Sequence, residues 1–180
     1  IIICGPPAGG KGTQCELIAQ TYGVVHISTG DLLREETRKG TTLGKQAGTF
    51  MASGALVPDA LMTQLVAARL KEDDVVAKGW LLDGFPRTRN QALNLQEMGI
   101  LPSAVLVLEV PDEVVQNRIE GRRTDPATGK VYHLTFNPPP AGDAELLKRL
   151  EQRKDDTREA MVTRLATYNK NVTDILSFYT

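Results

Sequence analysis

The 180-residue chain is long enough for one domain with a sizeable core, and its 21 basic and 22 acidic residues give a formal net charge of −1. This balance provides no overall basic field for nucleic acid or an anionic membrane, so anion binding must rest on local clusters. The only cysteines, Cys4 and Cys15, cannot make a four-ligand zinc site and do not suit a disulfide scaffold, so we expect two free, buried thiols. No apolar run has the length of a membrane span, and no signal-peptide pattern is present.

Short apolar runs alternate with helical patterns along the chain. The runs at 1–4, 24–27, 80–82 and 104–110 are too short for most helices and predict strands. Helical patterns occupy 14–21, 32–39, 60–71, 89–98 and 113–120. Strand, helix and strand in this order predict an α/β fold, with a mostly parallel sheet covered by helices on both faces.

Two stretches interrupt this alternation. Residues 28–57 hold mostly helical pattern between two strands, and residues 121–156 carry turn signals such as Asp125-Pro126. Within the second stretch, residues 131–136 alternate like a small exposed hairpin. We expect both stretches to be lobes inserted into a core made of residues 1–27, 58–120 and 157–180.

The first strand is followed by "GPPAGGKGTQ", which resembles a phosphate-binding loop. Gly5, Gly10 and Lys11 fit G-x-x-x-x-G-K, but Gly12 stands where Ser or Thr is usual, and Thr13 comes one residue later. A glycine-rich turn without function is the alternative. The setting between a strand and a helix favours phosphate binding, because glycines let backbone N–H groups approach a phosphate and the helix N-terminus adds partial positive charge.

The segment "WLLDGFPR" places Asp83 at the end of an apolar strand. The carboxyl edge of a parallel sheet is where α/β proteins bind ligands, and an aspartate there can hold magnesium through water. Capping of the next turn is the simpler alternative. Gly84 and Pro86 shape a turn that would present Arg87 to the same cleft.

Four further arginines flank the second inserted lobe. Arg118 and Arg122 are four residues apart and share a helical face, whereas Arg153 and Arg164, eleven apart, would share one side of a continuous helix. A solvated surface is the ordinary reading of such residues. Around one phosphate-binding loop, however, they would neutralise two phosphate chains, which indicates phosphoryl transfer between nucleotides.

The chain resembles adenylate kinases of the long-lid type over nearly its whole length. The ordered segments "GPPAGGKGTQ", "HISTGDLLR", "GALVPD", "GWLLDGFPRTRNQA", "GRRTDPATGKVYHLTFNPPP" and "RKDDTREAMVTRL" carry the resemblance. This family has G-K-G-T in its loop, so Gly12 is regular there. The resemblance implies a P-loop nucleoside monophosphate kinase that catalyses ATP + AMP = 2 ADP by direct in-line transfer. It also implies Mg²⁺ bound with ATP, largely through waters with Asp83 behind them.

The resemblance also assigns residues to each nucleotide. The expected ATP-binding residues are Ala8, Gly9, Gly10, Lys11, Gly12, Thr13, Arg118, Arg122, Val131 and Tyr132. The expected AMP-binding residues are Thr29, Arg34, Ala55, Leu56, Val57, Gly84, Phe85, Pro86, Arg87, Gln91, Arg153 and Arg164. Catalysis would fall to Lys11, Arg87, Arg122, Arg153 and Arg164. The lobe at 28–57 would be the AMP-binding flap, and the lobe at 121–156 the lid.

Departures from the family pattern refine these expectations. Ala8 in the loop and the segment "TQCEL" are most similar to plastid adenylate kinases, which implies the plastid stroma, with the cytoplasm as the alternative. The lid lacks the cysteines of zinc-binding relatives, so we expect no zinc there, and Asp125, Thr128, His133 and Asp143 would brace it by hydrogen bonds. His133 could instead be a half-exposed strand residue.

The remaining expectations concern His26, the chain end and the partners. We expect His26 to be a core histidine whose hydrogen bonds are satisfied. Because the family continues into a last strand and helix, we interpret the chain as truncated after Thr180. The expected partners are ATP, AMP and ADP, with no nucleic acid or membrane, and a monomer is expected. Two alternatives stay open: a pyrimidine monophosphate kinase, which the long lid disfavours, and a kinase-like module retained for binding or assembly.

Overall fold

The structure is a computed structural model that describes residues 1–153 and 155–179. Lys154 and Thr180, which fall within the predicted lid and core ranges, lie outside the described residues. In chain order the elements are β1 (Ile2–Cys4), α1 (Lys11–Tyr22), β2 (Val25–Ser28), α2 (Thr29–Lys39), α3 (Thr42–Ser53), α4 (Asp59–Leu70), α5 (Asp73–Lys78), β3 (Trp80–Asp83), α6 (Arg89–Glu97), β4 (Val105–Val107), α7 (Asp112–Glu120), β5 (Arg122–Thr124), β6 (Val131–His133), α8 (Ala144–Arg149) and α9 (Arg158–Tyr179).

The central sheet contains four parallel strands in the order β2-β3-β1-β4, which confirms the predicted parallel α/β architecture. The last strand is shorter than predicted: β4 ends at Val107, whereas the apolar run extends to Val110. One more sheet bond follows, from the Leu108 N–H to the Cys4 carbonyl. Pro111, which has no N–H to donate, then leads into α7.

Both faces of the sheet are covered at β1 and β3, whereas the edge strand β4 is partly exposed. Successive strand residues point to opposite faces, so Ile2 and Leu82 join one hydrophobic cluster, while Ile3 and Leu81 pack with Cys15 of α1 in another. This arrangement explains why the strands read as continuous apolar runs rather than alternating ones. Both cysteines are free and buried, as predicted.

The first inserted segment, residues 28–57, contains α2 and α3. Ser28 caps α2 by accepting a hydrogen bond from the Asp31 N–H (3.3 Å), and the Thr41 hydroxyl caps α3 by accepting from the Gly44 N–H (3.0 Å). The two helices approach very closely at Gly44, where a Cβ would lie 2.1 Å from the Glu36 carbonyl oxygen. The helices α2 and α3 can therefore approach this closely only because Gly44 has no side chain.

The second inserted segment, residues 121–156, is built on an antiparallel pair of strands. The hairpin predicted for 131–136 is wrong in extent: β6 ends at His133 and pairs with β5, a strand that the sequence reading missed. Beyond β6 the chain turns back, and His133 and Asn137 exchange backbone hydrogen bonds of 2.8 and 3.2 Å. The helices α5 and α8, with six residues each, were also missed, because one and a half turns show no clear period.

The helix α9 starts later than the arginine spacing suggested. It spans Arg158–Tyr179, so Arg153 lies before the helix and the predicted continuous helix carrying both Arg153 and Arg164 is wrong. Met161 and Leu165 of α9 pack against α7 in a separate apolar cluster. Within residues 1–153 and 155–179, no helix combines the length and apolar character that crossing a bilayer requires.

Replacing Gly44 by alanine should destabilise the protein. The added Cβ would meet the α2 backbone, which cannot yield as a flexible side chain would, and such overpacking costs about 1–3 kcal/mol. Gly48→Ala is the matched control on the same helix, because its Cβ would meet only the Thr37 side chain at 3.6 Å. Alanine there should stabilise α3 by up to about 1 kcal/mol. Urea unfolding of both variants checks the difference, and equal midpoints would contradict the close crossing.

Candidate active site

The loop between β1 and α1 surrounds the ammonium group of Lys11. Lys11 Nζ donates hydrogen bonds to the carbonyl oxygens of Gly5 (2.8 Å) and Pro6 (2.7 Å). Ala8 and Gly10 both take left-handed conformations, with φ of 55° and 96°, and no side chain caps the start of α1. The first N–H groups of a helix lack intrahelical acceptors, so this loop combines backbone donors with a cation, as phosphate binding requires.

Burial holds the pKa of Lys11 at about 8, well below its ordinary value. Desolvation is the main cause, and the positive charges of Arg87 and Arg164 lower this pKa further, while Asp83 opposes the change. An anion beside Nζ would favour the protonated form. The group is therefore suited to a phosphate chain that brings negative charge into the cleft.

One cleft of about 890 Å³ runs from this loop along the carboxyl edge of the sheet, and a recess of about 50 Å³ continues it beneath α3. Every residue assigned to a nucleotide from the sequence lines one of these two spaces. The cleft is lined by Ala8, Gly9, Gly10, Lys11, Gly12, Thr13, Arg34, Leu56, Gly84, Pro86, Arg87, Arg118, Arg122, Val131, Tyr132, Arg153 and Arg164. The recess adds Thr29, Ala55, Val57, Phe85 and Gln91.

The two arginines predicted to bind ATP, Arg118 and Arg122, reach the cleft from α7 and β5. Arg118 Nη1 donates to the Gly9 carbonyl at 3.3 Å and so lies over the phosphate-binding loop. Arg122 forms a bidentate ion pair with Asp156, whose carboxylate is fully buried, with Nε 2.8 Å from Oδ2. The second inserted segment is thus tied to the chain just before α9 through a residue expected to contact phosphate.

Three of the four arginines predicted to bind AMP, Arg34, Arg153 and Arg164, also have acidic partners. Arg164 Nη1 lies 3.0 Å from Asp155 Oδ2, and Arg34 pairs with Asp31 through Nε at 3.1 Å. Arg153, although outside α9, still faces the cleft, where its Nη2 is 3.8 Å from Asp31 Oδ1. Sequence reasoning missed all of these carboxylates, because their pairing depends on where the lobes fold back rather than on local spacing.

Gln91, one of the residues predicted to bind AMP, is held in a defined orientation at the recess. Its side chain is only 1% exposed; Oε1 accepts from the Arg87 N–H and Nε2 donates to Asp59 Oδ1, both at 2.7 Å. Asp59 Oδ2 accepts in addition from the Thr88 hydroxyl (3.0 Å). A glutamine amide has two N–H donors and two acceptor lone pairs, so one of each remains for a ligand. Sequence reasoning missed Asp59, although its position after Pro58 at the start of α4 was a signal that could have found it.

The turn after β3 is tied to the start of α2. The Thr29 hydroxyl, buried beneath the cleft, lies 3.2 and 3.0 Å from the carbonyl oxygens of Asp83 and Gly84. Arg87 Nε donates to the Gly84 carbonyl at 2.7 Å, which folds its guanidinium back over the turn. Arg87 is open to the cleft, but partial desolvation by the surrounding protein, together with the positive charge of Arg164, lowers the pKa of Arg87 to about 10. The turn therefore presents this guanidinium to the cleft as predicted.

Asp83 ends β3 inside the cleft, and its neighbour His26 corrects a sequence prediction. His26 Nε2 lies 3.6 Å from Asp83 Oδ2 and has no hydrogen-bond partner among the described residues, so His26 is not a satisfied core histidine. The Asp83 carboxylate is 13% exposed, and the exposed Thr13 lines the same space. Carboxylate and hydroxyl oxygens suit magnesium, so these residues fit an ion held through water.

The second inserted segment, predicted to be a lid, is braced around the buried carboxylate of Asp125. Asp125 accepts from Arg149 Nε (2.7 Å) and Nη2 (2.9 Å) and from the Thr128 hydroxyl (2.8 Å). The Arg149 hydrogen bonds hold the pKa of Asp125 well below its usual range. The predicted partnership of Asp125 with Thr128 is present, while Arg149 was missed. The other two predicted bracing residues act locally: Asp143 caps α8, and His133 Nδ1 accepts from the N–H of the second and third residues after it.

Comparison with known proteins places this cleft in a family. The family model described as adenylate kinase matches residues 3–180. The chain is 50% identical over 179 residues to "Probable adenylate kinase 2, chloroplastic" of Oryza sativa subsp. japonica, covering 99% of this chain and 61% of the relative. It is 49% identical over 179 residues to "Adenylate kinase, chloroplastic" of Zea mays, covering 99% of this chain and 80% of that relative.

The chain thus spans about three fifths of the rice protein's length and four fifths of the maize protein's length. The match runs through the phosphate-binding loop, both inserted segments and α9. Together with the parallel sheet and the arginine-lined cleft, it shows that the chain belongs to the adenylate kinase family.

Proposed function

We propose that the chain catalyses reversible phosphoryl transfer between ATP and AMP, which gives two ADP. One observation carries the proposal: a single cleft is lined both by a phosphate-binding loop and by a second group of cations, Arg34, Arg87, Arg153 and Arg164. A simple ATPase needs only the first group. Two sets of cations facing one space suit two phosphate chains that meet end to end.

The proposed reaction needs position and charge rather than a covalent intermediate. Lys11 and the N-terminus of α1 would hold the ATP phosphates, and Arg122 would meet charge that develops on the transferred group. Arg87 and Arg164 would orient the phosphate of AMP as the acceptor. Magnesium bound with ATP would neutralise phosphate charge, with Asp83 and Thr13 as the chain's residues facing its waters. Transfer is then in line from one phosphate chain to the other.

The two inserted segments would act as an AMP-binding flap (28–57) and a lid (121–156). The flap contributes Arg34 and the recess beneath α3, and the lid contributes Arg122 and Tyr132. Closure over both nucleotides would exclude water, which would otherwise compete with AMP for the phosphoryl group. The chloroplastic names of the two relatives support a plastid location, for which we propose the stroma, and a role in adenine nucleotide homeostasis.

Lys11→Met should lower kcat about 10²–10³-fold, because the ammonium group meets charge that moves during transfer. Lys71→Met removes an exposed lysine at the end of α4, outside the cleft, and is the control with unchanged kcat. Coupled assays of ADP formation from ATP and AMP compare the two. Full activity of Lys11→Met would refute the assignment of the loop.

Gln91→Ala should raise the KM for AMP and relax the choice among AMP, CMP and UMP, since we assign recognition of the base to this oriented amide. Asn94→Ala, one turn later on α6 and outside the recess, is the control. The measurement is kcat/KM for each monophosphate. If Gln91→Ala keeps the parent preference for AMP, another residue reads the base; a parent preference for CMP or UMP would overturn the proposed substrate.

ATP binding should draw a proton from solution near pH 8. Lys11 has a pKa of about 8 in the empty cleft, and phosphates raise it, so the neutral fraction becomes protonated on binding. Half of the lysine is neutral at that pH, which predicts an uptake of about half a proton. Below about pH 7 the group is already protonated and its uptake vanishes. Calorimetry in buffers of different ionisation enthalpy measures the effect, which Lys11→Met should abolish; an uptake unchanged in that variant would contradict it.

A further inference from the structure

Three potential metal ligands converge beneath the nucleotide cleft. Cys15 of α1, His26 of β2 and Asp83 of β3 each offer one ligand atom, and all three atoms lie within 4.8 Å of one another. They come from three elements that the sheet packing holds side by side. The cluster is therefore a product of the fold rather than of neighbouring sequence positions.

One residue of the cluster is buried in the core, and the other two face the cleft. Cys15 is fully buried, whereas His26 and Asp83 line the cleft. His26 Nε2 lacks a hydrogen-bond partner among the described residues, although it is buried and only 3.6 Å from a carboxylate oxygen. A buried nitrogen without a hydrogen-bond partner lowers the stability of the fold, unless a bound ion or molecule takes the place of that partner.

A thiolate, an imidazole and a carboxylate form a typical ligand set for zinc and related ions, whereas magnesium prefers oxygen alone. Tetrahedral zinc with bonds of about 2.0–2.3 Å holds its ligand atoms about 3.3–3.6 Å apart. The histidine–aspartate separation of 3.6 Å already matches this value. All three ligand atoms lie within 4.8 Å of one another, so no separation would have to shorten by more than about 1.2–1.5 Å, a distance within reach of a side-chain rotation.

We propose that Cys15, His26 and Asp83 bind a thiophilic divalent cation such as Zn²⁺, with the fourth coordination position open to the cleft. Burial raises the pKa of Cys15 to about 12, so binding must displace the thiol proton to solvent, and Lys11 nearby favours the thiolate. The site is separate from the lid, where the lack of cysteines predicted no zinc. No redox change is involved.

Occupation of this site would inhibit the kinase. Asp83 is the carboxylate proposed to face the waters of magnesium, and it cannot serve both ions. This consequence rests on the proposed function, whereas binding of the cation does not. Zn²⁺ should therefore inhibit ADP formation, excess Mg²⁺-ATP should relieve the inhibition, and a chelator should reverse it.

Cobalt(II) titration of the reduced, nucleotide-free chain tests binding directly, because thiolate coordination gives a near-ultraviolet charge-transfer band. We expect one equivalent per chain and displacement of cobalt by Zn²⁺. Cys15→Ala should abolish the band, and His26→Gln should weaken binding at least tenfold. Cys4→Ala is the matched control, since Cys4 is also a free, buried thiol but lies outside the cluster.

The outcomes separate the site from the kinase proposal. Absence of the band in the parent chain, or its persistence in Cys15→Ala, would overturn the site. Equal loss in Cys15→Ala and Cys4→Ala would do the same. If Cys15→Ala fails to fold, His26→Gln provides the test, because His26 lies at the cleft surface. Undiminished cobalt binding by His26→Gln would refute the site. Cobalt binding without inhibition by Zn²⁺ supports the site and contradicts the role of Asp83 in the proposed reaction.

Discussion

Several buried positive charges share one cleft, and the rest of the structure depends on this constraint. Burial lowers the pKa of Lys11 to about 8 and that of Arg153 to about 10, which means that the protein holds these groups charged at some loss of stability. A phosphate chain would relieve the loss. The cleft is thus arranged for a ligand with more negative charge than any side chain supplies.

Ion pairs with acidic residues stabilise several of the cleft arginines when no ligand is bound. Asp156 holds Arg122, Asp155 holds Arg164, and Asp31 stands near two guanidinium groups. Phosphate oxygens would have to replace some of these carboxylates, so nucleotide binding is an exchange of partners rather than simple addition. The pairs also keep each guanidinium close to the cleft, because a side chain already ordered loses less entropy on binding.

The sequence alone predicted most of the cleft but little of what supports it. The loop around Lys11 and the edge position of Asp83 follow from local pattern, because a strand, a glycine turn and a helix fix their own geometry. The spacing of the arginines pointed to Arg118, Arg122, Arg153 and Arg164, and the family resemblance added Arg34. Asp59 and Arg149 were missed since their partners are 32 and 24 residues away. Arg153 reaches the cleft from an irregular segment that no periodic pattern describes.

Two glycines at the bases of the inserted segments constrain how such a sequence can diverge. At Gly54 a Cβ would lie 2.5 Å from the Ala160 carbonyl oxygen of α9, and at Gly121 it would lie 2.4 Å from the His133 ring. Neither position has room for a side chain while its neighbour stays in place. Exposed residues of both segments can therefore be substituted, so we expect the composition and charge of the segments to differ between relatives. Their attachment points should resist replacement even where no nucleotide is contacted, so invariance at these two positions would report packing rather than chemistry.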